Sequence, residues 1–237
     1  VGDQGIISTH KSKITIKDTL KKMGDLHVHL GRVDSGSVKM GETVNLEINK
    51  EKRNNARAYH SATHLLHEAL RRTLGKHVTQ KGSLVGSEKL RFDFSHNKPI
   101  ETYEISKIEK FVNDMVVASS EVKTRIMTPK EAVENGALAL FGEKYGDEVR
   151  VLSMGKEGDS FFSTELCGGT HVKNTRDIGK FKIISQSSIA SGIRRIEALR
   201  DTQLEGYEKY IKENKSNKEK NLTQEINSIK KELELLS

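Results

Sequence analysis

Two short stretches of this chain hold residue types that could do chemistry together. In His60-Ser61-Ala62-Thr63-His64, two imidazoles stand at i and i+4. On a helix they would lie one turn apart, with Cβ atoms about 5–6 Å from each other, and both could reach one ion. His67 follows three residues later on nearly the same face and competes as a ligand. The stretch is not a His-Glu-x-x-His metalloprotease signature, because Glu68 comes after His67 and position 71 is Arg. In Cys167-Gly168-Gly169-Thr170-His171, the only cysteine and an imidazole flank a glycine turn. A thiolate and an imidazole suit Zn²⁺, and the glycines allow a tight turn and a close backbone approach. Each half alone has a plain alternative, a polar helix surface or a buried cysteine beside a turn histidine. Together, His60, His64, Cys167 and His171 are expected to bind one zinc ion per chain. Three protein ligands plus water is the usual catalytic arrangement and four is the usual structural one. Both stay open here, with His171 the ligand most readily displaced. One thiolate would leave the ion at about +1, enough to acidify a bound water or polarise an ester carbonyl.

The elements that must position these residues can be read from hydrophobic period. Over 55–75, Ala58, Ala62, Leu65, Leu66, Ala69 and Leu70 recur at helical spacing, and Gly75 is placed to cap the end. Ile105, Ile108, Val112 and Met115 mark a second amphipathic helix. Thr128-Pro129-Lys130-Glu131 reads as a helix start, with Thr128 as N-cap, Pro129 at the first position and Glu131 completing a capping box; Gly136 can end that helix. Alternation predicts strands in 13–17, 26–30 and 43–48, with glycine turns at Gly24, Gly36 and Gly41. Further strands are expected at 90–94 and about 148–154, 160–166, 180–186 and 193–199. The expected class is α+β, with a small β-barrel lobe over 1–50, a core with a mostly antiparallel sheet over 51–202, and a helical segment over 203–237. In that last segment Leu222, Ile226, Ile229, Leu233 and Leu236 are spaced as a short heptad seam. Self-association through this helix and packing on its own body are both open.

Bulk properties narrow the class of partner. The 237 residues carry a net charge of +7, and the seven Lys and seven Glu after residue 204 cancel. The excess is therefore in the globular part, which fits a polyanionic partner; a generally lysine-rich proteome with no nucleic acid involved is the alternative. Arg71, Arg72, Arg194 and Arg195 are candidates for phosphate contacts, although consecutive strand residues such as Arg194 and Arg195 must point opposite ways. A single cysteine excludes an internal disulfide framework. No apolar run is long enough to span a membrane, and none reads as a secretion signal. A start at Val1-Gly2-Asp3 reads as the interior of a longer, cytoplasmic protein.

Six separated motifs resemble, in order, those of the editing domain of alanyl-tRNA synthetases. They are His60-Ser-Ala-Thr-His64-Leu-Leu-His67, Gln80-Lys-Gly-Ser-Leu-Val85, Arg91-Phe-Asp-Phe-Ser-His96, Ala139-Leu-Phe-Gly-Glu-Lys-Tyr145, Glu165-Leu-Cys-Gly-Gly-Thr-His171 and Gly192-Ile-Arg-Arg-Ile-Glu-Ala198. Val1-Gly-Asp-Gln-Gly5 resembles the end of the glycine-rich element that opens the editing β-barrel, and 203–237 resembles the linker toward that family's C-terminal domain. Threonyl-tRNA synthetases share the two histidine and cysteine motifs, but the Gln80 and Ala139 motifs favour the alanyl family. The resemblance implies hydrolysis of the ester of Ser-tRNA(Ala) and Gly-tRNA(Ala) at the tRNA acceptor end. A pocket built for alanine excludes glycine and serine poorly, so a second sieve is needed. It also implies that Thr63 senses the serine hydroxyl and that Gln80 contacts substrate or water. Both have structural alternatives, a helical Thr bonded to its own backbone and an ordinary loop Gln. His67 becomes a helix neighbour in this family pattern. ATP-dependent attachment of alanine would belong to an N-terminal domain, and oligomerisation to the C-terminal helix or domain. A freestanding deacylase acting in trans, or a tRNA-binding module with structural zinc, are the alternatives. Two departures stand out: Arg176 where the family often has glycine, and Gln186 where it often has glutamate.

Overall fold

The computed structural model describes residues 1–138 and 146–235. The 139–145 motif and Leu236 lie outside the described residues. The chain is α+β, as expected, and every strand pairing between named strands is antiparallel.

The N-terminal lobe is a four-stranded sheet of β1 (Gly5–Ser8), β2 (Lys13–Lys22), β3 (Leu26–Ser35) and β4 (Asn45–Ile48) in the order β3-β2-β1-β4. Its expected closure into a barrel would need a β3–β4 pairing, which is not among those of the described residues. The β1 strand goes unread in the sequence because four residues, Gly-Ile-Ile-Ser, show no alternation. The lobe is tied to the core at the start of α1 (Lys50–Leu74). Asn49 N–H donates to Gln4 O at 2.7 Å, Lys52 Nζ donates to the Gln4 side chain at 2.7 Å, and Arg53 pairs with Asp3.

Helix α1 is the axis of the core. Asn49 caps it by accepting from Lys52 N–H, and Gly75 ends it at φ +120°, a conformation that favours glycine. The apolar stripe read from the sequence is buried: Ala58, Ala62, Leu65, Leu66, Ala69 and Leu70 are at most 2% exposed. It packs with α2 (Thr102–Val117) and the inner face of a sheet ordered β10-β11-β6-β5, built from β5 (Gln80–Val85), β6 (Leu90–Ser95), β10 (Phe181–Ala190) and β11 (Ile193–Arg200). A third sheet, β7-β8-β9, joins β7 (Lys123–Met127), β8 (Val149–Glu157) and β9 (Ser160–Leu166). The helix α3 (Pro129–Glu134) has the expected Thr128–Glu131 capping box, and Gly136 follows it at φ +76°. The β5 and β7 strands were not legible in advance, since Gln-Lys-Gly-Ser-Leu-Val does not alternate and Lys-Thr-Arg-Ile-Met is an almost fully exposed edge.

The final helix, α4 (Asp201–Leu235), is anchored to the body near its start, where Leu204 is buried and Lys180 pairs with Glu208. Leu222, Ile226 and Ile229 of the seam are exposed. Among the described residues no helix is long and apolar enough to cross a membrane.

Candidate metal centre

The helix α1 and the loop after β9 bring the two chemical stretches together. One donor atom each from His60, His64, Cys167 and His171 fall within 4.8 Å of one another. Cys167 Sγ lies 3.6 Å from His60 Nε2 and 3.3 Å from His171 Nε2. The His60 and His171 rings are 4.2 Å apart between centroids, and His60 and His64 are 5.2 Å apart. Helix periodicity sets the first pair, and the Cys-Gly-Gly-Thr-His loop delivers the other two across it.

That loop is held from three sides. Cys167 N–H donates to Arg150 O, and Arg150 Nη1 returns to the carbonyls of Gly168 and Gly169 at 3.3 and 2.7 Å. Ser61, fully buried on α1, accepts from Val172 N–H at 3.1 Å and lies 3.3 Å from His171 Nδ1. Gly169 packs its Cα against the His60 ring, and a Cβ there would lie 2.2 Å from His60 Cε1. This is the structural reason for glycine at that position.

Behind the four residues sits a buried carboxylate. Glu165 accepts from His64 Nδ1 at 2.7 Å and from His67 Nδ1 at 3.1 Å. His67 is thus outside the ligand group and points its Nδ1 at Glu165. Glu165 was not singled out as a site residue in the sequence, although it stands two residues before Cys167 in the same motif, at the end of β9.

Burial and charge act against each other here. Burial opposes charging of His64, but the Glu165 carboxylate and Cys167 outweigh it and raise the imidazole to about 10. Burial would push Glu165 up, yet His64 and His67 hold its carboxyl well below the usual range. Burial likewise opposes the Cys167 thiolate, and hydrogen bonds from His171 and His60, with the charge of His64 nearby, overcome it and bring the thiol down to about 3. Burial lowers His171 to about 4, with His64 and His60 reinforcing it. His64 Nε2 is buried without a hydrogen-bond partner among the described residues. A ready thiolate, neutral His171 and an unpartnered His64 nitrogen fit a soft or borderline metal such as zinc.

The other expected site residues take varied places. Thr63 is buried and its hydroxyl donates to Tyr59 O at 2.9 Å, the back-bonded helical geometry. Gln80 begins β5, half-buried, opposite Phe94. Arg71 donates to the carbonyls of Lys76 and Val78 beyond the helix end. Arg72 bonds Glu68, Glu157 and Phe162 O and lies over the Phe162 ring. Arg194 donates to Gln186, and Arg195 makes two bonds to Asp93. Their partners lie on different strands, β10 and β6, and the two side chains diverge as strand geometry requires. All four arginines are therefore engaged internally. Of the two departures, Gln186 holds both the N–H and the carbonyl of Ile100 as well as Arg194. Arg176 is exposed in a short 3-10 turn (Thr175–Ile178) and does not need a glycine conformation.

A cleft of about 600 Å³ between lobe and core opens onto the centre. His60, Gly169 and Thr170 line it, Lys21, His27 and Lys52 stand on its rim, and Arg53 there is paired with Asp3. The sequence reading missed these basic residues, although Lys50-Glu51-Lys52-Arg53 is a visible charge run.

The family of the threonyl and alanyl tRNA synthetase second additional domain matches residues 149–197, which include Cys167 and His171. The chain is 57% identical over 203 residues to an alanine--tRNA ligase of Parvibaculum lavamentivorans, covering 84% of this chain and 23% of that protein. Alanine--tRNA ligases of Sphingopyxis alaskensis and Mesorhizobium japonicum are each 55% identical, over 200 and 204 residues, with the same coverage. The chain thus spans about a quarter of the length of the curated relatives it matches. Taken together, the two matches support a segment from the editing region of an alanyl-tRNA synthetase.

Proposed function

We propose that this chain hydrolyses the ester of tRNA(Ala) mischarged with serine or glycine. The observation that supports this most is the convergence of His60, His64, Cys167 and His171, with His60 lining a cleft that carries basic residues. In this reading the four residues hold one Zn²⁺. When bound, the ion would supply Lewis acidity toward a water or the ester carbonyl. Lys21, His27 and Lys52 would receive the phosphates of the acceptor end. Arg71, Arg72, Arg194 and Arg195 enter only as secondary phosphate contacts, because each already serves an internal partner. Thr63, whose proton is committed to Tyr59 O, keeps a lone pair that can accept from a serine hydroxyl. Gln80 is proposed as a further substrate or water contact.

We assign residues 1–50 to a β lobe, 51–202 to the editing core and 203–237 to a linker helix. The whole protein would attach alanine to tRNA(Ala) with ATP in the cytoplasm. A second reading, a tRNA-binding module with structural zinc, is favoured by the four-donor set. Deacylation of Ser-tRNA(Ala) by the zinc-loaded chain and by Cys167→Ala separates the two. Hydrolysis that falls to background in a folded Cys167→Ala protein is expected. An unchanged rate in a folded, zinc-free variant would overturn the catalytic reading.

A further inference from the structure

We propose that Glu165 is the positioning residue of the metal centre: it sets the ring orientation and tautomer of His64, and His67 in turn braces Glu165. This inference rests on the reading that the four-residue group holds zinc.

The geometry is that of one carboxylate shared by two imidazoles. Glu165 lies on β9, while His64 and His67 sit three residues apart on α1. Each carboxylate oxygen accepts one N–H, Oε2 from His64 Nδ1 at 2.7 Å and Oε1 from His67 Nδ1 at 3.1 Å. All three side chains are at most 10% exposed. A carboxylate can only accept, so both imidazoles must carry their proton on Nδ1. For a neutral His64 this leaves Nε2 as the lone-pair nitrogen; the Nε2 atoms of His64 and His67 are both buried without a hydrogen-bond partner among the described residues, and of the two residues only His64 belongs to the four-donor group. A carboxylate behind a metal-ligating histidine is a recurrent way to fix tautomer and raise ligand basicity.

His67 supplies what a single pair lacks. With only His64 as donor, the carboxylate could rotate about its last bond and lose the alignment. A second donor on the next face position of the same helix, packed 5.2 Å from the Phe92 ring, locks it. The three side chains also change the charge of the centre. One thiolate leaves a bound divalent ion at about +1, and the buried Glu165 beside His64 brings the local total to about zero. That balance lets a charged ion sit in a partly buried site.

The test uses the full chain in its zinc-loaded form, with Glu165→Gln, Glu165→Asp and His67→Gln. Zinc affinity is read by chelator competition, and the tautomer of His64 by nitrogen-15 NMR of labelled histidine. In the wild type, His64 should bind through Nε2 with a hydrogen-bonded proton on Nδ1. Glu165→Gln should weaken zinc binding by roughly 10–100-fold and mix the His64 tautomers. His67→Gln should weaken it less, and Glu165→Asp, one methylene short, should recover part of the loss. A folded Glu165→Gln chain with wild-type affinity and an unchanged tautomer would overturn the inference. So would metal-bound wild type in which His64 binds through Nδ1, a measurement that does not depend on any variant folding. If the wild type binds zinc as described but leaves Ser-tRNA(Ala) intact, the deacylase reading fails and the positioning role stands. If it binds no zinc, both fail.

Discussion

At the scale of residues, the candidate metal centre is a set of opposed titrations, and they predict how stability should depend on pH without metal. A group adds stability with rising pH wherever the unfolded chain binds more protons than the folded one. Cys167 falls from 9.0 to about 3, so its contribution grows as pH rises from about 3 to 9. His171 falls from 6.5 to about 4, so its contribution grows between those values. His64 rises from 6.5 to about 10, so its contribution is complete below 6.5 and is lost as pH climbs to about 10. Glu165, held low, contributes above 4.5 and is lost on acidification below it. Between 6.5 and 9 the gain from Cys167 cancels the loss from His64. Urea melts of the zinc-free chain should therefore show stability rising from pH 4 to 6.5, level to about 9 and falling beyond. A steady fall from pH 6.5 would show that Cys167 is not held as a thiolate.

At the scale of elements, the centre exists because a loop and a helix approach more closely than a side chain would allow. Gly169 lies against His60 on α1, and an added Cβ would come 2.2 Å from the ring. The neighbouring Arg150 clamp on the Gly168 and Gly169 carbonyls limits how far the loop can retreat. Gly169→Ala should push His60 away from the group and cost about 1–3 kcal/mol, as overpacking does. Zinc affinity and thermal unfolding, measured together, check this. Wild-type affinity in the variant would mean that His60 is not needed as a ligand. The contrast with α1 itself is instructive. Its stripe from Ala58 to Leu70 was plain from spacing, because burial of one helix face writes itself into the sequence as a period. The approach of the 167–171 loop to that helix left no period, only two glycines.

At the scale of the whole molecule, the long α4 is held to the body at its N-terminal end. Leu204 and the Lys180–Glu208 pair anchor the start of the helix, and Leu222, Ile226 and Ile229 are exposed further on. A chain ending at Lys215 should keep its melting transition at low protein concentration, within about 0.5 kcal/mol, as expected for surface changes. A larger loss would mean that the distal helix packs on the body. The cleft belongs to this scale too. Its basic rim is assembled from the lobe, through Lys21 and His27, and from the start of α1, through Lys52.

The sequence by itself determined which residues could meet at a metal. His60 and His64 share a helix face by geometry alone, the lone cysteine stands in a glycine turn, and the α+β pattern with its antiparallel strands follows from hydrophobic period. Thr128, Pro129 and Glu131 announced their helix because capping is local chemistry. What only the tertiary structure decided are the contacts between distant segments. The role of His67 changed from helix neighbour to brace because Glu165, 98 residues away, accepts its proton. The four candidate arginines turned out to be internally engaged, because basic side chains look alike in sequence whether they face a phosphate or a nearby carboxylate. Local period and capping are written along the chain, whereas the partner of a polar side chain is set by the fold that surrounds it.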